Sequence, residues 1–145
     1  MTSPSITTRT FHSERAKWAW EEVSGVAALK GSIGPQYATL VRKLPSRIQI
    51  NGLGQALAFL FAKSKPDKDR GETGAARLLG QLGKRLALTL EHAPALSNPR
   101  AIMEAIVKMS PDQYRRCTHE LMTTAEWLKR FADGFFEKDD NGTDK

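Results

Sequence analysis

Residues 110–136, SPDQYRRCTHELMTTAEWLKRFADGFF, decide the fold because they join a helix-start signal to a regular apolar stripe. Ser110 can cap the first turn, and Pro111 suits the first helical position, where no backbone N–H is needed. Apolar side chains then recur every three or four residues over about six turns. The members of this stripe are Tyr114, Cys117, Thr118, Leu121, Ala125, Leu128, Ala132 and Phe135. A long helix with one apolar face predicts a bundle in which other helices cover that face.

Five earlier segments carry the same helical period, and we find no segment with the alternating pattern of a strand. Helices are expected at residues 8–29, from Pro35 onward, and at residues 52–64, 72–91 and 101–109. The sequence therefore predicts an all-α protein, a single-domain bundle of about six helices with long first and last helices. The domain is expected to span residues 1–145, with an ordered core at about 8–137 and a disordered acidic tail at 138–145.

Three local features lead to further expectations. Trp20 falls on the apolar stripe of the first helix and should be buried. Pro45 removes a backbone donor within the second helix and predicts a kink or break. Asn51 can cap the third helix. That helix is apolar around nearly its whole circumference and is expected to be the hub of the bundle.

The composition excludes several classes of protein. The chain has 145 residues, 40% of them apolar, which is enough to bury a core. A single cysteine excludes a disulfide scaffold and cannot form a zinc site alone. The longest apolar run, residues 53–62, is too short to span a bilayer, and the first residues carry no apolar signal core. We expect a soluble cytoplasmic protein.

The positive charge is concentrated in the first half of the chain. Residues 1–65 hold nine Lys and Arg but three acidic residues, whereas residues 66–145 hold thirteen of each. The polar face of the second helix carries Arg42, Lys43 and Arg47, and no acid occurs between residues 30 and 65. A solvated basic face and a phosphate-binding face both fit this pattern.

The candidate RNA-binding residues are Lys17, Arg42, Lys43, Arg47 and Lys63. No base-reading module is recognisable in the sequence. Any contact with nucleic acid is therefore expected to involve the backbone and to be independent of sequence.

Conventional catalysis finds little support in the sequence. His12 and His92 have no partner at metal-ligand spacing, and His119 has only Glu120 beside it, on a different side of the helix. Cys117 lies on the core stripe, which favours packing over nucleophilic chemistry. We expect neither enzymatic activity nor a cofactor or bound metal.

Two tryptophans fall outside the main stripes of their helices. Trp18 does so in the first helix, and Trp127 does so in the last, near Arg116 and Arg130. Neighbouring helices could cover these side chains. Trp and Arg are also enriched in protein–protein interfaces, so the four residues are candidates for such a surface.

Two blocks of sequence resemble a known family. The first is Tyr37-x-x-Leu40-x-x-Lys43-Leu44-Pro45, which runs into Ile48-x-x-Asn51-Gly52-Leu53-Gly54-Gln55-Ala56-Leu57-Ala58-Phe59. The second joins Tyr114-Arg115-Arg116 to Glu126-Trp127-Leu128-Lys129-Arg130-Phe131-Ala132. Both look like the small α-helical subunit of the Cmr complex, the type III-B CRISPR–Cas effector, over about residues 11–136.

The resemblance implies a non-catalytic structural subunit. Such subunits stack in a few copies along the effector, contact the backbone subunits, and help to hold target RNA paired with the guide. The implied partners are therefore other Cmr subunits, copies of the chain itself, and the backbone of a guide RNA–target RNA duplex. The alternative is a stand-alone helical nucleic-acid-binding regulator, with a helix-turn-helix around Asn51 and Gly52.

Overall fold

The computed structural model describes residues 4–66, 71–90, 96 and 98–137, with side chains described from residue 14 onward. Six α-helices run through these ranges: α1 (Pro4–Ala27), α2 (Ile33–Asn51), α3 (Leu53–Ala62), α4 (Gly74–Leu90), α5 (Pro99–Val107) and α6 (Pro111–Phe135). The predicted all-α class, with long first and last helices, is confirmed. Each helix in the described ranges is too short or too polar to span a bilayer. The predicted tail at 138–145 lies outside the described residues.

Side-chain caps fix the starts of the last two helices. Ser110 Oγ accepts a hydrogen bond from the Gln113 N–H at 3.1 Å, and Gln113 Oε1 accepts one from the Ser110 N–H at 2.9 Å. At α5, Asn98 Oδ1 accepts from the Ala101 N–H at 2.8 Å. These caps satisfy donors that have no partner within the first helical turn. The predicted cap at Ser110 is therefore confirmed.

The corner between α2 and α3 differs from the expectation. α2 continues through Pro45, so the predicted break does not occur within it. Asn51 ends α2 rather than capping α3, and Gly52 forms the corner with a φ of 88°, a conformation that favours glycine. The first turn of α3 finds its partner on α6, because the Gly54 N–H donates to Tyr114 Oη at 2.7 Å.

α2 and α6 form the central pair of the bundle. α2 also packs against α3 and α4, while α6 packs against α1 and α4. The expectation that α3 is the hub is wrong, because Phe61 is 41% exposed and Phe59 is only partly buried. One side of this short apolar helix therefore forms part of the molecular surface.

A polar cluster joins α1, α4 and α6 around the Glu120 carboxylate. Arg15 donates to this carboxylate at 2.7 Å, Arg85 at 2.9 Å, and the Thr124 hydroxyl at 3.1 Å. The Arg85 side chain is only 5% exposed and also pairs with Glu14 at 3.0 Å. Burial disfavours the ionised Glu120 carboxyl. The hydrogen bonds and charges of Arg15 and Arg85 outweigh that cost and hold the pKa of Glu120 below its ordinary value.

Replacing Glu120 by Gln is expected to lower the free energy of unfolding near neutral pH by about 2–4 kcal/mol, because the two arginines lose their shared carboxylate. The folded-state pKa is depressed, so the stabilisation is complete above the pKa of unfolded glutamate, about 4.3, and is lost as the pH falls through the folded-state pKa. Urea unfolding of both proteins over this pH range measures the difference.

Glu126→Gln provides the control, because Glu126 is an exposed glutamate on the same helix. Its effect should stay within about 0.5 kcal/mol. If Glu120→Gln lowers the free energy of unfolding by the same amount at acidic pH, the charge of the carboxylate is not the source of the stabilisation.

Candidate nucleic-acid interface

A groove between α2 and α6 collects basic side chains from both helices. It has a volume of about 390 Å³, and the described residues of its lining include no acid. The lining residues are Arg42, Lys43, Ser46, Arg47, Ile50, Asn51 and Lys129. In the described part of the chain, Lys43, Arg47 and Lys129 form no ion pair. Cations that converge and are not paired with carboxylates create a positive potential that attracts anions.

Arg42 lines the α2–α6 groove, but its charge is already neutralised. The side chain is 6% exposed, and Nε donates to Asp133 Oδ1 at 3.0 Å. Nη2 donates to the carbonyl oxygens of Phe136 and Glu137 at 3.0 and 3.2 Å. These carbonyls follow the last turn of α6, where the helix dipole favours a cation. The expectation that Arg42 lies on the solvent face of α2 is wrong, because the end of α6 packs over it.

Arg47 and Lys63 are brought together by an aromatic ring. The guanidinium carbon of Arg47 lies 3.8 Å from the centroid of the Phe59 ring, and Lys63 Nζ lies 5.2 Å from the same centroid. Arg47 Nε is buried and has no hydrogen-bond partner among the described atoms. A cation–π contact attracts a cation to a ring without cancelling its charge. Phe59 thus positions two cations and leaves both able to attract an anion.

A second groove lies between α2 and α3 and has a volume of about 510 Å³. It shares Arg47, Ile50 and Asn51 with the α2–α6 groove, so the two grooves are adjacent. The remaining lining residues are Gln55, Ala56 and Phe59. Ile50, at 79% exposure, is the most exposed large apolar side chain of the described residues. The α2–α3 groove therefore differs in its polar groups, with the amides of Asn51 and Gln55 beside a single cation and with Ile50 and Phe59 as its large apolar side chains.

The structure brings together only some of the predicted RNA-binding residues. Lys43 and Arg47 line the α2–α6 groove, and Lys63 joins them through Phe59. Lys17 is exposed on α1 and lines neither groove. Lys129, which α6 contributes to the groove, was not among the predicted RNA-binding residues. The sequence signals are its position directly after the stripe residue Leu128 and its place in the second block that carries the family resemblance.

Of the four residues predicted for a protein interface, the structure again brings only some together. Trp127 and Arg130 line a groove of about 310 Å³ on α6, together with Met122, Thr123 and Glu126. Arg116 lies outside this groove and pairs with Asp112 at 3.1 Å. Trp18 is also outside it, since its ring packs against the core with the Arg85 guanidinium 5.1 Å away.

Trp20, rather than Trp18, extends the surface around Trp127. The expectation that Trp20 is buried is wrong, because 51% of it is exposed. Its ring lies 5.3 Å from that of Phe131 and 4.9 Å from that of Phe135, and Phe131 stacks on Trp127 at 5.5 Å. Trp20 follows the buried Ala19 and so lies at the edge of the α1–α6 contact. We call these four rings the α1–α6 aromatic surface.

The side chains considered above as catalytic candidates do not come together in a catalytic arrangement among the described residues. The Glu120 carboxylate forms ion pairs with Arg15 and Arg85, and the neighbouring His119 is exposed. Cys117 is buried, and burial raises the pKa of its thiol. The described residues contain no group of three or more His, Cys, Asp or Glu that could hold a metal ion. His92 and the side chain of His12 lie outside the described residues.

Comparison with known proteins identifies the family. The model of the CRISPR-associated protein family Cas_Cmr5 matches residues 11–135. The CRISPR system Cmr subunit Cmr5 of Thermus thermophilus is 34% identical over 123 residues, which cover 85% of this chain and 93% of that protein. The crystal structure of a CRISPR-associated Cmr5 family protein from the same organism superposes with a TM-score of 0.63. That structure is 31% identical in sequence, and the match covers 85% of this chain and 94% of that one. The resemblance predicted from the two sequence blocks is confirmed, and the chain belongs to the Cmr5 family of CRISPR-associated proteins.

Proposed function

We propose that the chain is a non-catalytic structural subunit of a type III-B CRISPR RNA-guided effector, the Cmr complex. In this role it stacks with copies of itself, contacts the backbone subunits, and stabilises bound target RNA. Membership of the Cmr5 family supports the assignment to the complex, since the Thermus relative is itself named as a Cmr subunit. The observation that carries the RNA contact is the convergence of Lys43, Arg47 and Lys129 in one groove, where none of the three forms an ion pair with a described residue.

The chemistry of the α2–α6 groove suits phosphate groups. Lys43 and Lys129 come from different helices and offer compact ammonium charges, while Arg47 offers a planar guanidinium. Contacts of this kind neutralise phosphates and release the counterions of the nucleic acid. They carry no sequence information, which the guide RNA supplies by base pairing in an RNA-guided complex. The proposed ligand is therefore the sugar–phosphate backbone of the guide–target duplex.

The non-catalytic part of the proposal is supported by the surroundings of Glu120. A general acid or base must reach a substrate with a free proton-accepting or proton-donating group. The Glu120 carboxylate already accepts hydrogen bonds from Arg15, Arg85 and Thr124, and its pKa is lowered rather than raised toward neutrality. Its evident role is to neutralise two arginines in the polar cluster.

The contact with other subunits is proposed for the α1–α6 aromatic surface and the adjacent groove at Trp127. Aromatic and Arg side chains dominate the energy of many interfaces, and this surface supplies Trp20, Trp127 and Arg130. Trp127 stacks on Phe131, whose ring also contacts Trp20, so the Trp127 ring is held in place before any partner binds. A preorganised aromatic side chain loses little conformational entropy on association.

The double variant Lys43→Gln/Lys129→Gln is expected to weaken retention of target RNA in a reconstituted complex. The log–log dependence of affinity on salt should become shallower by about one to two units, because roughly one counterion is released for each phosphate contact. Titration of fluorescently labelled target RNA at several salt concentrations measures both effects.

Lys84→Gln/Lys108→Gln provides the charge-matched control, since neither of these exposed lysines lines a described groove. Equal losses in the two double variants would indicate a general charge effect and contradict the assignment of the groove. Tight binding of the purified chain to one specific DNA duplex at physiological salt would instead favour a stand-alone regulator.

Reversal of charge at Arg130 tests the subunit contact. Arg130→Glu is expected to reduce co-purification with the other Cmr subunits by at least about tenfold, which corresponds to about 1.4 kcal/mol. The melting temperature of the isolated chain should not change, because Arg130 is exposed. Lys108→Glu reverses an exposed charge away from the Trp127 groove and should leave assembly intact. Normal assembly of the Arg130→Glu protein would show that this surface is not the contact with the other subunits.

A further inference from the structure

Arg47 occupies the junction of two grooves with different chemistry. On the α6 side it is joined by Lys43 and Lys129, and on the α3 side by Gln55 and Phe59. Ile50 and Asn51 line both grooves. A ligand that crosses Arg47 would therefore meet ammonium groups at one end, and amides together with an isoleucine and a phenylalanine side chain at the other.

These two environments match the two ends of a nucleotide. Ammonium groups bind phosphate. Asn and Gln amides can donate and accept hydrogen bonds at the edges of a base, and apolar and guanidinium surfaces can stack on its face. The volume of the α2–α3 groove, about 510 Å³, lies within the range of about 300–1,000 Å³ that is usual for small-molecule sites.

The position of Arg47 suits it to a stacking role. Its guanidinium carbon lies 3.8 Å from the Phe59 ring centroid, so the ring supports the group in a defined place. Within the described residues, Arg47 Nε donates to no carboxylate or carbonyl oxygen that would draw the group elsewhere. The group is thus held by the ring, with its charge not neutralised.

Building on the proposed function, we propose that the chain holds one unpaired nucleotide at Arg47. The phosphate lies in the α2–α6 groove, and the base lies in the α2–α3 groove, beside Ile50 and the supported guanidinium. Asn51 and Gln55 face the edges of the base. The base is unpaired because pairing would cover these edges and stacking within a duplex would cover its faces. Amides adapt to any of the four bases, so the site has little sequence preference.

The test compares an intact hexauridylate with a hexamer of abasic ribose phosphates, which carries the same phosphate charges. The full chain is titrated with each labelled oligomer at low salt, and binding is followed by fluorescence anisotropy. Stacking of one base is expected to make the intact oligomer bind about fivefold to a hundredfold more tightly.

Two variants locate the preference for the base. Arg47→Lys keeps the positive charge but removes the guanidinium plane, and Gln55→Ala removes an exposed amide of the α2–α3 groove. In each variant, the affinity for the intact oligomer should fall toward the affinity for the abasic oligomer. The affinity for the abasic oligomer itself should change little. Gln49→Ala, an exposed glutamine on α2 that lines neither groove, should keep the full ratio.

The outcomes separate this inference from the proposed function. Equal binding of the two oligomers by the unmodified chain, still weakened by Lys43→Gln/Lys129→Gln, overturns the base site and leaves the phosphate contact standing. A preference for the intact oligomer that survives both Arg47→Lys and Gln55→Ala places the base elsewhere and also overturns the inference. Absence of binding to either oligomer at low salt contradicts the base site and the phosphate-binding groove together.

Discussion

The contact between α2 and α6 is the constraint on which the candidate site depends, and Arg42 is at its centre. Its guanidinium binds Asp133 and the carbonyl oxygens that follow the last turn of α6. An arginine that is nearly excluded from water requires such partners, because an unpaired buried charge is strongly destabilising. The hydrogen bonds that the Arg42 guanidinium requires therefore hold the end of α6 against the middle of α2.

This pairing also determines which basic groups remain free. Lys129 and Asp133 are four residues apart on α6, a spacing at which Lys and Asp commonly pair along a helix. Asp133 binds Arg42 instead, and Lys129 forms no ion pair with the described residues. Lys129 is then left beside Lys43 and Arg47 in the α2–α6 groove. The burial of one cation thus produces the unneutralised positive charge of its neighbours.

The sequence predicted the helices well because their signals are local. The apolar stripe of α6 and the cap at Ser110 depend on spacing within one segment. The cap was confirmed, and so was the core of the stripe, from Cys117 to Ala132, whereas Phe135 at its end is 39% exposed. The partner of the first turn of α3 could not be predicted, since Tyr114 of α6 supplies the acceptor that a capping Asn51 side chain would have provided. The prediction that Trp20 is buried was wrong for a similar reason. A helical stripe gives the direction of a buried face but not the width of the contact, and Trp20 lies at its edge.

The candidate site was predicted in part because charge is visible in a sequence whereas its neutralisation is not. Residues 30–65 lack acids, and this directed attention to α2, which lines the candidate groove. The carboxylates that neutralise basic residues of the first half come from distant positions: Asp133 pairs with Arg42, and Glu120 pairs with Arg15. Local charge counting therefore includes arginines that serve the fold and omits Lys129, whose role depends on a neighbour far along the chain. Buried arginines with carboxylate partners and exposed cations without them are distinct populations, and only the second retains enough unneutralised charge to bind a polyanion.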